Sequence, residues 1–112
     1  MAQQPVQLGE FEQVFLLAIL RLEDDAYGVR IREVIAECTE REPTAGALYT
    51  TLDRLEDKRL VVSRFGDPTP QRGGRPKRYF TVTKTGVEAV SRAQQSFQRL
   101  MAGLTLPRAA HA

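Results

Sequence analysis

The sequence has very little of the chemistry on which most enzymes and metal sites depend. Its 112 residues include one cysteine, Cys38, and one histidine, His111. A single thiol cannot form an internal disulfide, and one Cys with one His cannot supply the four ligands of a zinc site. Nor can a lone His near the end of the chain complete a Cys–His or Ser–His–Asp arrangement. We therefore predict a protein that is not an enzyme and that needs no metal or cofactor, and we interpret Cys38 as a half-buried small apolar residue.

Long apolar runs are also lacking. The longest, Val14–Leu20, is far shorter than the roughly 20 residues that a membrane-spanning helix needs. The first residues show no basic region followed by an apolar stretch, so we expect no signal peptide. With a single cysteine, these absences favour a cytoplasmic protein with no membrane partner. The length and the 42% hydrophobic content fit one small domain, which can gain stability by pairing with a second copy.

The net charge is small, but its distribution along the chain is very uneven. Residues 1–57 carry five basic and twelve acidic side chains, a net charge of −7. Residues 58–84 carry eight basic side chains and one acidic side chain, a net charge of +7. Such a basic segment is typical of a surface that binds a phosphate backbone. The alternative is a solvated basic loop with no partner.

Apolar spacing predicts three helices, then two strands, then a fourth helix. Residues spaced three and four apart indicate amphipathic helices over about 9–22, 27–38 and 45–59. Asp25 and Thr44 are the predicted N-caps of the second and third helices. β-branched and aromatic residues then predict strands over 61–65 and 77–83.

The fourth helix has two candidate starting points. Thr85-x-x-Glu88 has the spacing of a capping box, which favours Thr85 over the competing cap Thr83. Pro107 is expected to end the helix.

This order predicts an α+β fold that is mainly α. It is a winged helix-turn-helix of three helices and a two-stranded wing, followed by a C-terminal dimerisation helix. We divide the chain into a flexible N-terminal arm (1–8), the DNA-binding domain (9–83), the dimerisation helix (84–106) and a disordered tail (107–112).

The third helix has the features of a recognition helix. Such a helix enters the major groove with its N-terminal residues at the bases, and small side chains there let its backbone come close to DNA. Gly46 costs a helix about 1 kcal/mol relative to Ala, so either close approach to DNA or tight packing against another helix has to explain it. For Tyr49 the choice is between a phosphate contact and a ring packed on the first helix. The predicted DNA contacts of this helix are Thr44, Ala45, Gly46, Ala47, Tyr49, Thr50 and Arg54.

The loop between the two strands is basic and rich in glycine and proline, as a DNA-binding wing would be. Arg72, Arg75, Lys77 and Arg78 lie within seven residues and are all predicted DNA contacts. The segment Gly74-Arg75-Pro76 resembles an AT-hook, which predicts that Arg75 enters a minor groove in A·T-rich DNA.

The first and last helices are predicted to pair two copies of the chain. The first helix is apolar most of the way round, so it should be buried on more than one side. Apolar residues of the last helix fall on a heptad-like seam that Gln94 interrupts. The predicted dimer interface consists of Phe11, Val14, Phe15, Val90, Phe97 and Met101.

Several of these segments together resemble the PadR family of bacterial transcription regulators. The residues that carry the resemblance are Ala26-Tyr27-Gly28, Gly46-Ala47-Leu48-Tyr49, Leu52, Leu55-Glu56, Leu60-Val61 and the run Arg75-Pro76-Lys77-Arg78-Tyr79-Phe80-x-Val82-Thr83-x-x-Gly86.

The resemblance spans about residues 8–101 and implies a homodimeric winged-helix regulator, often a repressor. It implies that the C-terminal helix crosses to the partner's first helix, that Tyr49 and Lys77 touch DNA, and that Thr83 starts the last helix. Some short members resemble drug sensors whose effector pocket, at the dimer interface, is lined by tryptophan. This chain has no tryptophan, which argues against a flat pocket for an aromatic drug. We expect two partners, double-stranded DNA and a second copy of the chain; a small-molecule effector of unknown identity stays open as a third. The alternative function is a winged-helix module that binds protein and no specific DNA.

Overall fold

A computed structural model of the protein describes residues 7–66 and 76–107. The elements in these residues are α1 (Glu10–Leu22), a 3-10 turn (Glu23–Asp25), α2 (Gly28–Cys38), α3 (Ala45–Asp57), β1 (Val61–Phe65), β2 (Arg78–Val82) and α4 (Lys84–Met101). The two strands form an antiparallel hairpin with Val61 opposite Val82 and Phe65 opposite Arg78. The element order confirms the predicted fold class.

The core lies between the first three helices and is closed on one side by the hairpin. On each of the first three helices its side chains lie three or four residues apart; on α2, Ile31 faces inward whereas Val29 is exposed. Burying each such side chain contributes about 1.5–3 kcal/mol. The largest fully buried residues are Phe15, Leu16, Ile19, Ile31, Ile35, Leu52, Leu55, Leu60, Val61 and Phe80.

The start of α2 differs from the prediction that Asp25 caps it. Asp25 lies in the 3-10 turn, and Tyr27 is the N-cap residue. The reason is a tertiary contact, since the Phe80 N–H donates to the Ala26 carbonyl at 2.8 Å and Tyr27 forms a β-bridge with Tyr79. This pairing places Ala26 and an extended Tyr27 between Asp25 and the helix.

The end of α3 is a Schellman turn at Arg59, two residues beyond the last helical residue. The Leu60 N–H donates to the Leu55 carbonyl, and the Arg59 N–H donates to the Glu56 carbonyl. Arg59 has a φ of 60°, in the left-handed region. The helix thus ends at Asp57, earlier than the predicted 59, and β1 starts immediately after the turn.

The start of α4 is fixed to this turn by Thr83, so the choice of Thr85 as the cap was wrong. The Thr83 hydroxyl accepts from the Gly86 N–H at 3.1 Å and donates to the Arg59 carbonyl at 2.7 Å. The Thr83 N–H donates to the Leu60 carbonyl. A Cβ at Gly86 would collide with that same carbonyl, so the close approach requires glycine there.

Two further expectations are corrected at helix ends. α4 ends at Met101 rather than near Pro107, and Gly103 follows with a φ of 73°. Cys38, expected to be half-buried, is exposed at the end of α2. No helix in the described part of the chain is long and apolar enough to cross a membrane.

An ion pair between buried Glu12 and partly exposed Lys58 connects α1 to the end of α3. The Glu12 side chain is only 6% exposed, and it accepts from Lys58 Nζ at 2.7 Å and from the Gly9 N–H at 3.1 Å. Burial raises the pKa of the Glu12 carboxyl. The two hydrogen bonds and the positive charges of Lys58 and Arg54 outweigh that effect and hold the pKa below its ordinary value of 4.5.

Replacing Glu12 with Gln should lower the free energy of unfolding by about 1–3 kcal/mol at neutral pH, because a charge-assisted pair is lost. The folded-state pKa lies below the unfolded value, so this stabilisation is present above about pH 5 and is lost as the pH falls through the folded pKa. Urea unfolding should therefore show a gap between wild type and E12Q that narrows in acid. Glu10→Gln, which removes an exposed partner of Arg41, is the control and should change little. A gap independent of pH would contradict this role for Glu12.

Candidate nucleic-acid interface

The start of α3 presents an open surface made almost entirely of backbone. Residues 44–47 are all exposed, and the Thr44 hydroxyl accepts from the Ala47 N–H at 3.1 Å as an N-cap. A Cβ added at Gly46 would meet only the Thr44 hydroxyl oxygen, at 4.0 Å. Tight packing against another helix of the chain therefore does not explain Gly46. The explanation that stays open is close approach of an outside partner.

Tyr49 lies over the first residue of α2 and is 44% exposed. A Cβ added at Gly28 would collide with the Tyr49 hydroxyl, and it would lie 3.0 Å from the ring carbon that bears it. The hydroxyl end of the ring therefore packs on α2, at the N-terminus of that helix. The backbone N–H groups and helix dipole at such a terminus favour an anion.

Two cations of the hairpin lie on tyrosine rings beside this point. Lys77 Nζ is 4.2 Å from the centre of the Tyr27 ring, and the Arg64 guanidinium carbon is 4.9 Å from the centre of the Tyr79 ring. The two rings pack edge to face at 5.6 Å. Cation–π contacts of this kind orient a charged group without neutralising it. Lys77 and Arg64 are both exposed, so their charges face solvent on this side of the molecule.

Other predicted contacts fall into three groups. Thr50 and Arg54 are exposed on α3, as a contact surface requires. Arg72 and Arg75 lie outside the described residues. Arg78 is partly buried and is bonded to side chains of α3 and β1.

Sequence reasoning missed Arg64 and its partner Tyr79. Period-2 alternation places each of them on a strand face, but their pairing appears only when the hairpin register is known. The contact of Tyr49 with Gly28 was missed as well, because it joins two helices across the helix-turn-helix.

The predicted dimer residues divide between the core and the surface. Phe15 and Val90 are buried within the single chain, so they have almost no surface left for a partner. Phe11 and Val14 pack against the core and are partly exposed. Phe97 and Met101 are 55% and 48% exposed on α4.

An apolar groove opens between α1 and α2. Its volume is about 480 Å³. The residues that line it include Val14, Leu17, Leu20, Val34, Ile35 and Cys38.

The three helices, the hairpin wing and the exposed start of α3 define a winged helix-turn-helix protein. The sequence matches the PadR-like family of transcriptional regulators over residues 16–92. The chain belongs to that family. No curated protein sequence matches it.

Solved structures share the same fold at low sequence identity. A PadR family transcription regulator from Clostridium difficile R20291 is 24% identical with a TM-score of 0.65, and the match covers 83% of this chain and 96% of that one. A PadR-like transcription factor from Bacteroides fragilis is 23% identical with a TM-score of 0.65 over 84% and 85% of the two chains. A winged-helix DNA-binding protein from STIV is 16% identical with a TM-score of 0.65 over 85% and 95%.

Replacing Gly28 with Ala should lower the free energy of unfolding by about 1–2 kcal/mol, because the new methyl group displaces the Tyr49 ring. Urea unfolding of G28A in the wild-type and Tyr49→Ala backgrounds measures the coupling between the two positions. The loss should disappear when Tyr49 is already Ala. An equal loss in both backgrounds would mean that the ring does not pack on Gly28.

Proposed function

We propose that this chain is a cytoplasmic, homodimeric transcription regulator that represses genes by binding a near-palindromic DNA operator. The observation that carries the proposal is the open, small-residue start of α3 beside exposed cations. In such a dimer, the two recognition helices enter successive major grooves about 34–36 Å apart. Repression follows because the bound dimer covers the promoter.

DNA binding is supported by the free space at Gly46 and by the cations near Tyr49. The backbone of residues 45–47 can reach base edges because no long side chain stands between it and the partner. Exposed Arg64 and Lys77 lie on tyrosine rings at the base of the wing, where phosphate groups of the same duplex would pass. The eight basic side chains of residues 58–84 are enough for four or five phosphate contacts from each protomer, even without Lys58 and Arg78, which are paired with carboxylates of the chain.

Pairing of two chains is supported by apolar side chains along α4. Val90, in the first half of the helix, packs into the core of its own chain. At Gln94 the seam becomes polar, and its side-chain amide donates to Gln13 of α1 at 3.2 Å. Beyond that point the seam continues without cover in the residues that the structure describes. The exposed apolar residues there are Phe97, Leu100 and Met101 on α4, and Leu104 after the end of the helix.

The α1–α2 groove is a suitable place for this exposed end of α4 from a second chain. Exposed apolar stripes on soluble proteins commonly mark interaction surfaces, and the groove offers apolar walls of matching chemistry. Because each chain carries both surfaces, a two-fold axis would satisfy both at once. This arrangement agrees with the crossing of the last helix that the PadR resemblance implies.

DNA binding is tested by selecting bound sequences from a random library and titrating the selected duplex by fluorescence anisotropy. We expect log K to fall with log salt at a slope of about −7 to −9, from eight to ten phosphate contacts in the dimer. The variant Gly46→Ala is expected to change stability and DNA affinity in opposite directions. It should stabilise the fold by up to about 1 kcal/mol, because Ala favours helix and the site is empty.

The same G46A variant should bind the selected duplex about ten-fold more weakly, because its methyl group lies where the backbone approaches DNA. Unchanged affinity with raised stability would contradict close approach at Gly46. If the wild-type protein binds no DNA from the library at modest salt, the proposed function is refuted and a protein-binding module is favoured.

The dimer is tested with Phe97→Asp combined with Met101→Asp. Two charges on the exposed seam should give monomers in sedimentation and abolish specific DNA binding, because apolar pairing is replaced by repulsion. Ser91→Asp with Gln95→Asp adds the same charge at other exposed α4 positions and should leave the dimer intact. A seam variant that sediments as a dimer would refute this interface.

A further inference from the structure

The Arg78 guanidinium joins the base of the wing to the recognition helix. Its Nη2 donates to Glu56 Oε1 at 2.5 Å and its Nη1 to Asp53 Oδ1 at 3.3 Å, both on α3. Its Nε donates to the Ser63 hydroxyl of β1 at 3.1 Å, and that hydroxyl donates to the Glu56 carboxylate. The Phe80 ring lies 4.9 Å from the guanidinium carbon. Each of the three guanidinium nitrogens therefore has a partner within the chain.

The partners of Arg78 come from the two elements that would enter DNA. Asp53 and Glu56 belong to α3, and Ser63 belongs to the first strand of the wing. The planar fork of arginine suits such a set, because it directs several N–H groups in fixed directions at once. Lysine carries the same charge but cannot reproduce the fork.

We propose that Arg78 is a positioning residue that clamps the wing to the recognition helix, rather than a contact to DNA phosphate. This inference rests on the proposed DNA-binding function. The Arg78 side chain is 30% exposed and faces two carboxylates, so its charge is already neutralised. The clamp fixes the separation of α3 from the base of the wing, and its single positive charge offsets part of the repulsion that two acids of α3 would exert on the duplex.

Lys77, the residue before Arg78, differs from it in having no carboxylate partner among the described residues. Its ammonium group is exposed and lies on the Tyr27 ring, and none of the ion pairs among the described residues involves it. We assign Lys77 to the phosphate backbone and Arg78 to the internal clamp. From the sequence both cations are predicted DNA contacts, and the family resemblance implies such a contact for Lys77 alone.

The two roles for Arg78 make opposite predictions for Glu56→Gln. If Arg78 contacts phosphate, Glu56 competes for it, and removing the carboxylate charge should strengthen DNA binding. If Arg78 is a clamp, E56Q loosens the wing and weakens binding, although a negative charge has been removed from the DNA side.

The experiment measures affinity and salt slope for wild type, E56Q, Arg78→Lys and Lys77→Gln on the duplex selected from the random library. We expect E56Q and R78K each to bind about five- to ten-fold more weakly with an unchanged salt slope, since charge-assisted geometry is lost but no phosphate contact is. K77Q should reduce the slope by about 1 for each protomer. Stronger binding by E56Q, or wild-type affinity of R78K, would overturn the clamp.

A second measurement needs no DNA. The Gly66 N–H donates to the Lys77 carbonyl at 2.8 Å at the base of the wing, so its hydrogen exchange reports how firmly the wing is held. Exchange should be about ten-fold faster in E56Q and Arg78→Gln, and unchanged in K77Q, because only the first two break the clamp. Unchanged exchange in R78Q would overturn the inference even if the protein bound no DNA, whereas failure of DNA binding alone would refute only the proposed function.

Discussion

The turn at Arg59 and Leu60 is the constraint on which the rest of the structure depends. Leu60 is fully buried, its N–H closes the end of α3, and its carbonyl accepts from Thr83 at the start of α4. The Arg59 carbonyl accepts from the Thr83 hydroxyl, and Gly86 lets α4 approach without a Cβ in the way. Two adjacent peptide groups therefore fix the end of the recognition helix, both strands of the wing and the first turn of the last helix.

The helices and strands could be predicted where the local pattern decides the structure. Helical spacing identified the inward faces of α1 and α3, and the strand over 61–65 agrees with the structure. The errors lie where a distant residue decides. Asp25 is a good cap by itself, but pairing of Ala26 with Phe80 moves the helix start onward. Thr85 has the better local motif, yet only Thr83 can reach the Arg59 carbonyl.

The candidate interface was predictable in composition but not in pairing. Small residues at the start of α3 and cations after Gly66 are visible in the sequence. The sequence favours close approach to DNA and tight helix packing equally as explanations for Gly46, and only the open space around it decides between them. The tight helix contact occurs at Gly28 instead. The internal bonding of Arg78 depends on the hairpin register and on the α3 face opposite it, so the sequence could not predict it.

The anchored start of α4 also makes that helix a lever. Its 18 residues extend about 27 Å at 1.5 Å per residue. A rotation of about 10° at the Thr83 end displaces the far end by roughly 5 Å, more than the 3.4 Å rise of one base pair. In the proposed dimer the far end is held by the partner, so the displacement would be transferred to the recognition helices. The stiffness of a few hydrogen bonds around Leu60 would then set how much variation in half-site spacing an operator can have.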